Sequence, residues 1–358
     1  MNHRLRALLV VVGVVGALGL ASSTAGAARN PYGGAGDDEQ RAVDLLHRSA
    51  TAMSSTSYTG TRLLSAWGRN SATAVLVDVE HVAGQGTRMS LRGGGLAEDT
   101  ATFLAGGEGL GAGPAPSNGL TLEAFDLLTD TYAVTVGPRD SVAGRPSTVV
   151  EVSRAGAVAA RLWIDDRSGL LLRREVFDGS GRLARESTFI DVDITGSSFM
   201  AHLPPFPPEP VTHGVAVGDA HGLRDAGWDC PPQAGAMRLL DIEALDDVRG
   251  SDALHMTYSD GLSRMSVFEQ RGSLDADSVR GFERLRMGGE TVHVREGMPT
   301  YVLWEDGGLV FTAVTDGPLD SVAGVVARDP TLAGDHNGFW DRVASGLARL
   351  GGWASPLV

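Results

Sequence analysis

Alternating apolar and polar residues between positions 147 and 194 give the clearest structural signal in the chain. Leu162 and Ile164 alternate with Trp163 and Asp165, and the period of two continues at residues 170–176 and 187–194. This pattern is typical of antiparallel strands whose sheet is covered on one face. We therefore predict a sheet with one covered, aliphatic face. The residues of that face, a candidate apolar groove, are Leu162, Ile164, Leu170, Leu172, Val176, Ile190, Val192 and Ile194.

The segment before this sheet is predicted to contain helices and further strands. A helix is expected from Asp37 or Asp38 to about Met53, because its apolar residues recur every three or four positions. Strand-like runs at 58–64, 72–79 and 87–91 precede a glycine-rich loop, which is predicted to hold a short helix around Thr100–Leu104. A second helix near 120–128 leads into a strand at 132–136.

A cluster of five prolines between 204 and 210 separates two folded blocks, because such a run favours a semi-rigid polyproline spacer. We predict an N-terminal domain at 28–203, a linker at 204–227, a C-terminal domain at 228–331 and an amphipathic tail at 332–358. The tail is interpreted as a helix that packs on its own protein, with a partner- or membrane-binding segment as the alternative. The strands predicted in the second block are 254–258, 265–269, 291–295, 300–304 and 309–315, followed by a closing helix at 319–327.

The first 27 residues have the three parts of a secretory signal peptide. Arg4 and Arg6 precede an apolar run from Ala7 to Leu20, and Ala25-Gly26-Ala27 supplies small residues for cleavage. The run has 14 residues, whereas a membrane-spanning helix needs about 20. An uncleaved anchor is the alternative. We expect an exported protein in the periplasm or on the extracytoplasmic face of the envelope.

Composition and charge exclude several functional classes. The 358 residues carry a formal charge of −14, and all 30 basic residues are arginine. A chain without lysine cannot use Schiff-base chemistry or a phosphate-binding lysine. The acidic balance argues against nucleic acid as a partner, since phosphate binding needs clustered positive charge.

Motifs for catalysis, metals and cofactors are absent from the sequence. The nine histidines form no H-E-x-x-H array, and there is no G-x-S-x-G elbow. The carboxylate pairs Asp165-Asp166 and Asp191/Asp193 are interpreted as solvated surface groups. The single cysteine, Cys230, cannot form an internal disulfide and is interpreted as a small buried apolar residue, with a nucleophile or an intermolecular crosslink as alternatives. These patterns predict a binding protein without a cofactor rather than an enzyme.

Several segments resemble the MucB/RseB family of extracytoplasmic regulators of sigma-E-type stress responses. The segments that carry the resemblance are Ser57-Tyr58-Thr59-Gly60-Thr61, Tyr132-Ala133-Val134 leading into Val142-Ala143-Gly144-Arg145-Pro146, Arg161-Leu162-Trp163-Ile164-Asp165 with Ser168-Gly169-Leu170-Leu171-Leu172-Arg173, and Tyr258-Ser259-Asp260-Gly261-Leu262 followed by Ser266-Val267-Phe268. Together with the proline-marked boundary, they extend over nearly all of residues 37–330. The glycine-rich loop at 93–119 and the tail depart from the family pattern.

The resemblance implies an α+β protein with an unclosed antiparallel β-barrel over helices, similar to the lipoprotein carrier LolA, and a smaller C-terminal α+β domain. It also implies a partner, the extracytoplasmic domain of a membrane anti-sigma factor, which the protein would shield from proteolysis. Acyl chains of lipid or lipoprotein in the barrel groove would be the signal for release.

Two other functions remain open from the sequence. The first is a lipid or lipoprotein carrier of LolA type that uses the N-terminal barrel for transport. The second is a secreted hydrolase that uses Asp191 or Cys230.

Overall fold

Two antiparallel sheets organise the described part of the chain. The computed structural model describes residues 35–84, 86–92, 103–105, 121–194, 213–245 and 253–327. Residues 34–358 form one compact unit, and the predicted signal peptide lies outside the described residues.

The first sheet runs in the order β4-β3-β2-β1-β9-β8-β7-β6-β5. Its strands are β1 (Tyr58–Trp67), β2 (Ala72–Val82), β3 (Gly86–Leu91), β4 (Phe103–Ala105), β5 (Ala133–Val142), β6 (Arg145–Arg154), β7 (Ala157–Asp165), β8 (Leu171–Phe177) and β9 (Leu183–Asp193). Every pairing is antiparallel, and among the described residues β4 and β5 remain at opposite ends. The sheet is therefore unclosed, as expected.

The second sheet runs in the order β10-β12-β13-β14-β18-β17-β16-β15, and the short β11 pairs with β12. Its strands are β10 (His213–Val215), β11 (Gln233–Ala234), β12 (Met237–Leu245), β13 (Ala253–Ser259), β14 (Arg264–Arg271), β15 (Glu283–Met287), β16 (Glu290–Arg295), β17 (Thr300–Asp306) and β18 (Leu309–Thr315). The predicted α+β class is confirmed.

Few helices accompany the sheets. They are α1 (Ala35–Ser55), α2 (Leu122–Thr131), α3 (Ala220–Asp225) and α4 (Ala323–Val326), with 3₁₀ turns at Val217–Asp219 and Leu319–Val322. The side chain of Thr121 caps α2 by accepting a hydrogen bond from the Ala124 amide at 3.1 Å. No helix in the described ranges is long and apolar enough to cross a membrane.

The apolar face predicted for the first helix is the face that packs. Ala42, Leu46 and Ala50 are buried on α1 against residues of the first sheet and of α2. The second sheet has its own core, in which the rings of Trp304 and Phe311 stack at 4.9 Å and the closing segment contributes valines. Each sheet thus has a hydrophobic core of its own.

Two predictions differ from the structure, and two further predicted segments lie outside the described residues. The helix expected around Thr100–Leu104 is wrong at its end, because residues 103–105 form β4, which pairs with β3. Within the predicted linker, residues 213–215 already form β10, a strand that pairs with β12. The prolines at 204–210 and the tail at 332–358 lie outside the described residues.

Candidate functional site

The eight candidate groove residues divide between two buried clusters and the surface. Leu162, Ile164 and Val176 pack beneath α1 and α2 in one cluster. Leu170 and Leu172 lie in a neighbouring cluster. In the described structure these five side chains are therefore buried core residues, not the wall of an open channel.

The last three candidates lie on or next to β9 and are less covered. Val192 and Ile194 are half-buried against the second of these clusters. Ile190 is 54% exposed, so its expected place on the covered face is wrong. The register between β1 and β9 shifts here, since Thr61 pairs with Asp191 and Arg62 with Phe189. Ile190 is the extra residue of this bulge, and Phe189 takes the inward position.

A turn of the C-terminal sheet closes this core from the side. The β13–β14 turn, Ser259–Ser263, reaches the N-terminal half, and Leu262 is buried in the cluster that contains Phe125 and Leu128 of α2. Its neighbour Gly261 has φ +87° and lies so close to α2 that a Cβ would collide with the Leu128 amide. Only glycine fits this approach.

Polar contacts fix the turn in this position. The hydroxyl of Tyr132, the residue between α2 and β5, donates a 2.6 Å hydrogen bond to Asp260 Oδ2. Asp260 Oδ1 accepts bonds from the amides of Leu262 and Ser263 at 2.9 and 2.7 Å. Arg174 on β8 donates to the Leu262 carbonyl. Burial and the nearby Asp260 raise the pKa of Tyr132 well above its ordinary value, so the phenol stays a donor.

Further contacts from β9 and from the β1–β2 turn join the two halves. Arg185 on β9 is buried and donates to Thr300 Oγ1 at 2.6 Å. Burial lowers the pKa of Arg185, and the carboxylates of Asp316 and Glu296 act against that shift. Glu296 also accepts a hydrogen bond from the Arg69 amide at 2.9 Å, in the β1–β2 turn. The two sheets are therefore fastened at several separate points.

An open cleft of about 750 Å³ runs along α1, and none of the eight candidate groove residues lines it. Its lining is mixed: Val43, Ala52 and Phe125 are apolar, whereas His47 and Arg48 are polar, and the His47 and Phe125 rings meet edge to face at 5.4 Å. This volume lies within the range of small-molecule sites.

A buried arginine lies among the apolar residues of the first sheet, and the apolar pattern gave no sign of it. Arg62 on β1 donates to the Leu171 carbonyl at 3.1 Å and to Ser187 Oγ at 3.2 Å, and its guanidinium lies 4.0 Å from the Phe189 ring centroid. Burial lowers its pKa. The interior of this sheet is therefore not purely aliphatic.

The carboxylates considered for hydrolysis have structural roles or lie on the surface. Asp165 is buried, so its interpretation as a solvated surface group is wrong. It accepts two hydrogen bonds from Arg145, at 3.0 and 2.9 Å, and two from Ser168, which stabilise the carboxylate inside the protein. Burial alone would raise the pKa of Asp165, but these bonds outweigh it and lower the pKa. Asp191 and Asp193 are exposed at a polar surface cleft of about 570 Å³.

Cys230 is fully buried in the core of the second sheet. In the described part of the chain, no group of three or more histidine, cysteine or carboxylate side chains is arranged to hold a metal ion.

A family model described as the MucB/RseB N-terminal domain matches residues 115–207. The resemblance is confirmed for this segment. The segment contains α2 and β5 to β9, and with them Tyr132, Arg145, Asp165 and Arg174. The MucB/RseB segment therefore includes the N-terminal side of the contact with the Ser259–Ser263 turn.

Solved structures of similar fold include MucB in complex with MucA(peri), 20% identical over 82% of this chain and 99% of that chain, with a TM-score of 0.47. The Pseudomonas aeruginosa MucA/MucB complex is 20% identical over 82% of this chain and 99% of that chain, with a TM-score of 0.48. A LolA superfamily protein from Nitrosomonas europaea is 7% identical over 85% of this chain and 98% of that chain, with a TM-score of 0.20. No curated protein matches the chain significantly. These values are too low to transfer a function.

Proposed function

We propose that this protein is an exported regulator that binds the extracytoplasmic part of a membrane anti-sigma factor and shields it from proteolysis. The observation that carries the proposal is the MucB/RseB N-terminal domain at residues 115–207. The quoted segments outside that range, Ser57–Thr61 and Tyr258–Leu262, extend the same resemblance to both sheets. We assign the contact with the anti-sigma factor to the C-terminal domain.

The contacts between the two sheets support a protein that acts as one body. Leu262 packs in the N-terminal core, Asp260 binds Tyr132, and Arg185 binds Thr300. Changes in the N-terminal core would therefore alter the affinity for a partner that is bound to the C-terminal sheet. This is the property that a sensor needs when its signal and its partner bind to different halves.

Lipid or lipoprotein acyl chains are the proposed signal, and the cleft along α1 is their proposed entrance. Each buried methylene would contribute about 0.8 kcal/mol. Since Leu162, Ile164 and Val176 are already covered by α1 and α2, an acyl chain could reach them only by displacing one of these helices or Leu262. Ligand binding and the packing of the C-terminal turn would then compete.

We propose a binding function rather than an enzymatic one, because the candidate nucleophiles are poorly placed for attack. Asp165 is occupied by Arg145 and Ser168, and Cys230 lies within the second core. Exposed Asp191 is the remaining candidate, and its replacement by asparagine is expected to leave function unchanged.

The test is a pull-down and a cleavage assay with the ectodomain of a single-span anti-sigma factor encoded beside the gene for this protein. The full exported chain should bind the ectodomain and slow its cleavage by the cognate protease. In cells, deletion of the gene should derepress the sigma regulon. A chain that neither binds the ectodomain nor slows cleavage, or an unchanged regulon at rest and under envelope stress, would reject the proposal. Co-purified lipid without such binding would favour the carrier of LolA type.

A further inference from the structure

The outer strand of the C-terminal sheet presents two unpaired arginines. In the described ranges β15 pairs with β16 alone, so its other edge has no strand neighbour. Arg284 and Arg286 alternate with Leu285 and Met287 along this strand, and both arginines are exposed. Neither guanidinium forms a salt bridge with a described residue.

Cross-strand neighbours place the two arginines on one face. Arg284 pairs with His293 and Arg286 with Thr291 on β16, and members of such a pair project to the same side of a sheet. Arg295 continues this face, with its guanidinium 5.0 Å from the Phe282 ring centroid and 4.7 Å from that of Tyr301. The face therefore carries three arginines in adjacent strands.

Carboxylates border this face, but in the described ranges none forms a salt bridge with Arg284 or Arg286. Glu305 follows Leu303 on β17, on the same side as the arginines, and accepts a hydrogen bond from the Leu274 amide at 2.6 Å. Glu283, at the start of β15, is bound by Arg69 at 2.8 Å. Glu290 alternates with Thr291, so it lies on the opposite side of the sheet from Arg286. The apolar residues Leu285 and Met287 pack against the inner core. The inner side of β15 is thus anchored, while no described strand pairs with its outer edge.

We propose that β15 is a docking edge for an extended acidic segment of a partner protein, which would add an antiparallel or parallel strand to the sheet. An unpaired strand edge offers backbone donors and acceptors to such a segment. Carboxylates at alternate positions of the added strand would face Arg284 and Arg286. The proposal rests on the proposed function only in naming the anti-sigma factor as the protein that would supply this segment.

The test uses a synthetic probe, a fluorescently labelled nine-residue peptide of alternating glutamate and threonine, with the full exported chain. Fluorescence anisotropy should show saturable binding at peptide concentrations up to about 1 mM, weakened by high salt. Hydrogen exchange should slow at residues 283–287 when the peptide is bound. The double variant Arg284→Glu, Arg286→Glu should bind at least about tenfold more weakly.

The matched control is Arg139→Glu, Arg167→Glu, which makes the same charge change at two exposed arginines of the N-terminal sheet. It should keep the binding of the parent chain. A lysine–threonine peptide should gain affinity for the Arg284→Glu, Arg286→Glu variant, which also shows that the variant is folded. Three outcomes overturn the proposal: no binding, equal losses in both double variants, or binding without slower exchange at 283–287. Failure with this peptide leaves the pull-down of the whole ectodomain as the separate test of the regulator.

Discussion

Replacing Leu262 with alanine tests whether the C-terminal turn completes the N-terminal core. The Leu262 side chain is 5% exposed and packs with Phe125 and Leu128 of α2. Leucine-to-alanine changes in protein cores cost about 2–5 kcal/mol, which combines lost transfer free energy with the cavity left behind. Leu262 lies at the tip of a turn, where the chain can relax more than in a central strand. We therefore expect a loss of about 2–3 kcal/mol in the free energy of unfolding.

The loss would be measured by urea denaturation of the full exported chain, followed by far-UV circular dichroism. Leu122→Ala is the matched control, because Leu122 lies on α2 but is 49% exposed. Its cost should stay within about 0.5 kcal/mol. If Leu262→Ala lowers stability no more than Leu122→Ala does, then the turn does not pack in the N-terminal core in solution, and the proposed competition between ligand and turn loses its basis.

Three further predictions concern single residues. Tyr132→Phe removes the donor to Asp260 and should lower the free energy of unfolding by about 1.5–3 kcal/mol in urea denaturation. The raised pKa of Tyr132 gives stability that is present below pH 10 and lost above it. The variant should therefore lose stability less steeply than the parent chain above pH 10. Burial lowers the pKa of His81 below 6.5, so its contribution is present above pH 6.5 and lost as the pH falls, and His81→Phe should flatten the decline in thermal stability on the acid side. At the β9 bulge, Phe189→Ala should cost about 3–5 kcal/mol and Ile190→Ala less than about 0.5 kcal/mol; equal costs would contradict the bulge.

The sequence predicts strands well where the period of two is unbroken, and it fails where one residue is inserted. Leu162 and Ile164 are buried as expected, since β6 pairs with β7 in register through both positions. At Ile190 the bulge reverses the alternation. The residues that flank Ile190 in the sequence, Phe189 and Asp191, give no local sign of the bulge. A bulge depends on how two strands pair, which the pattern within one strand does not contain.

The sequence also does not predict which elements cover the apolar face of the first sheet. The alternation predicts that the Leu162 face is covered, but not whether helices, a ligand or another domain covers it. It also predicts a solvated opposite face, which is wrong at Trp163 and Asp165, since both are buried. The structure shows α1, α2 and Leu262 there. Leu262 comes from a turn about 100 residues later in the chain than the strand that it covers, and no periodicity relates the two.

The segments that resemble the MucB/RseB family come together at two polar contacts in the structure. Arg145 of one segment binds Asp165 of another, and Tyr132 binds Asp260. At the second contact each residue type has a physical reason: a phenol long enough to reach the turn, a carboxylate that also accepts two turn amides, and Gly261 where a side chain would strike α2. These short motifs are therefore turn and contact residues rather than ligand-binding residues. The segments that carry the resemblance therefore include residues that join the two halves. The proposed ligand and partner should be sought on the two surfaces described above, the cleft along α1 and the edge of β15.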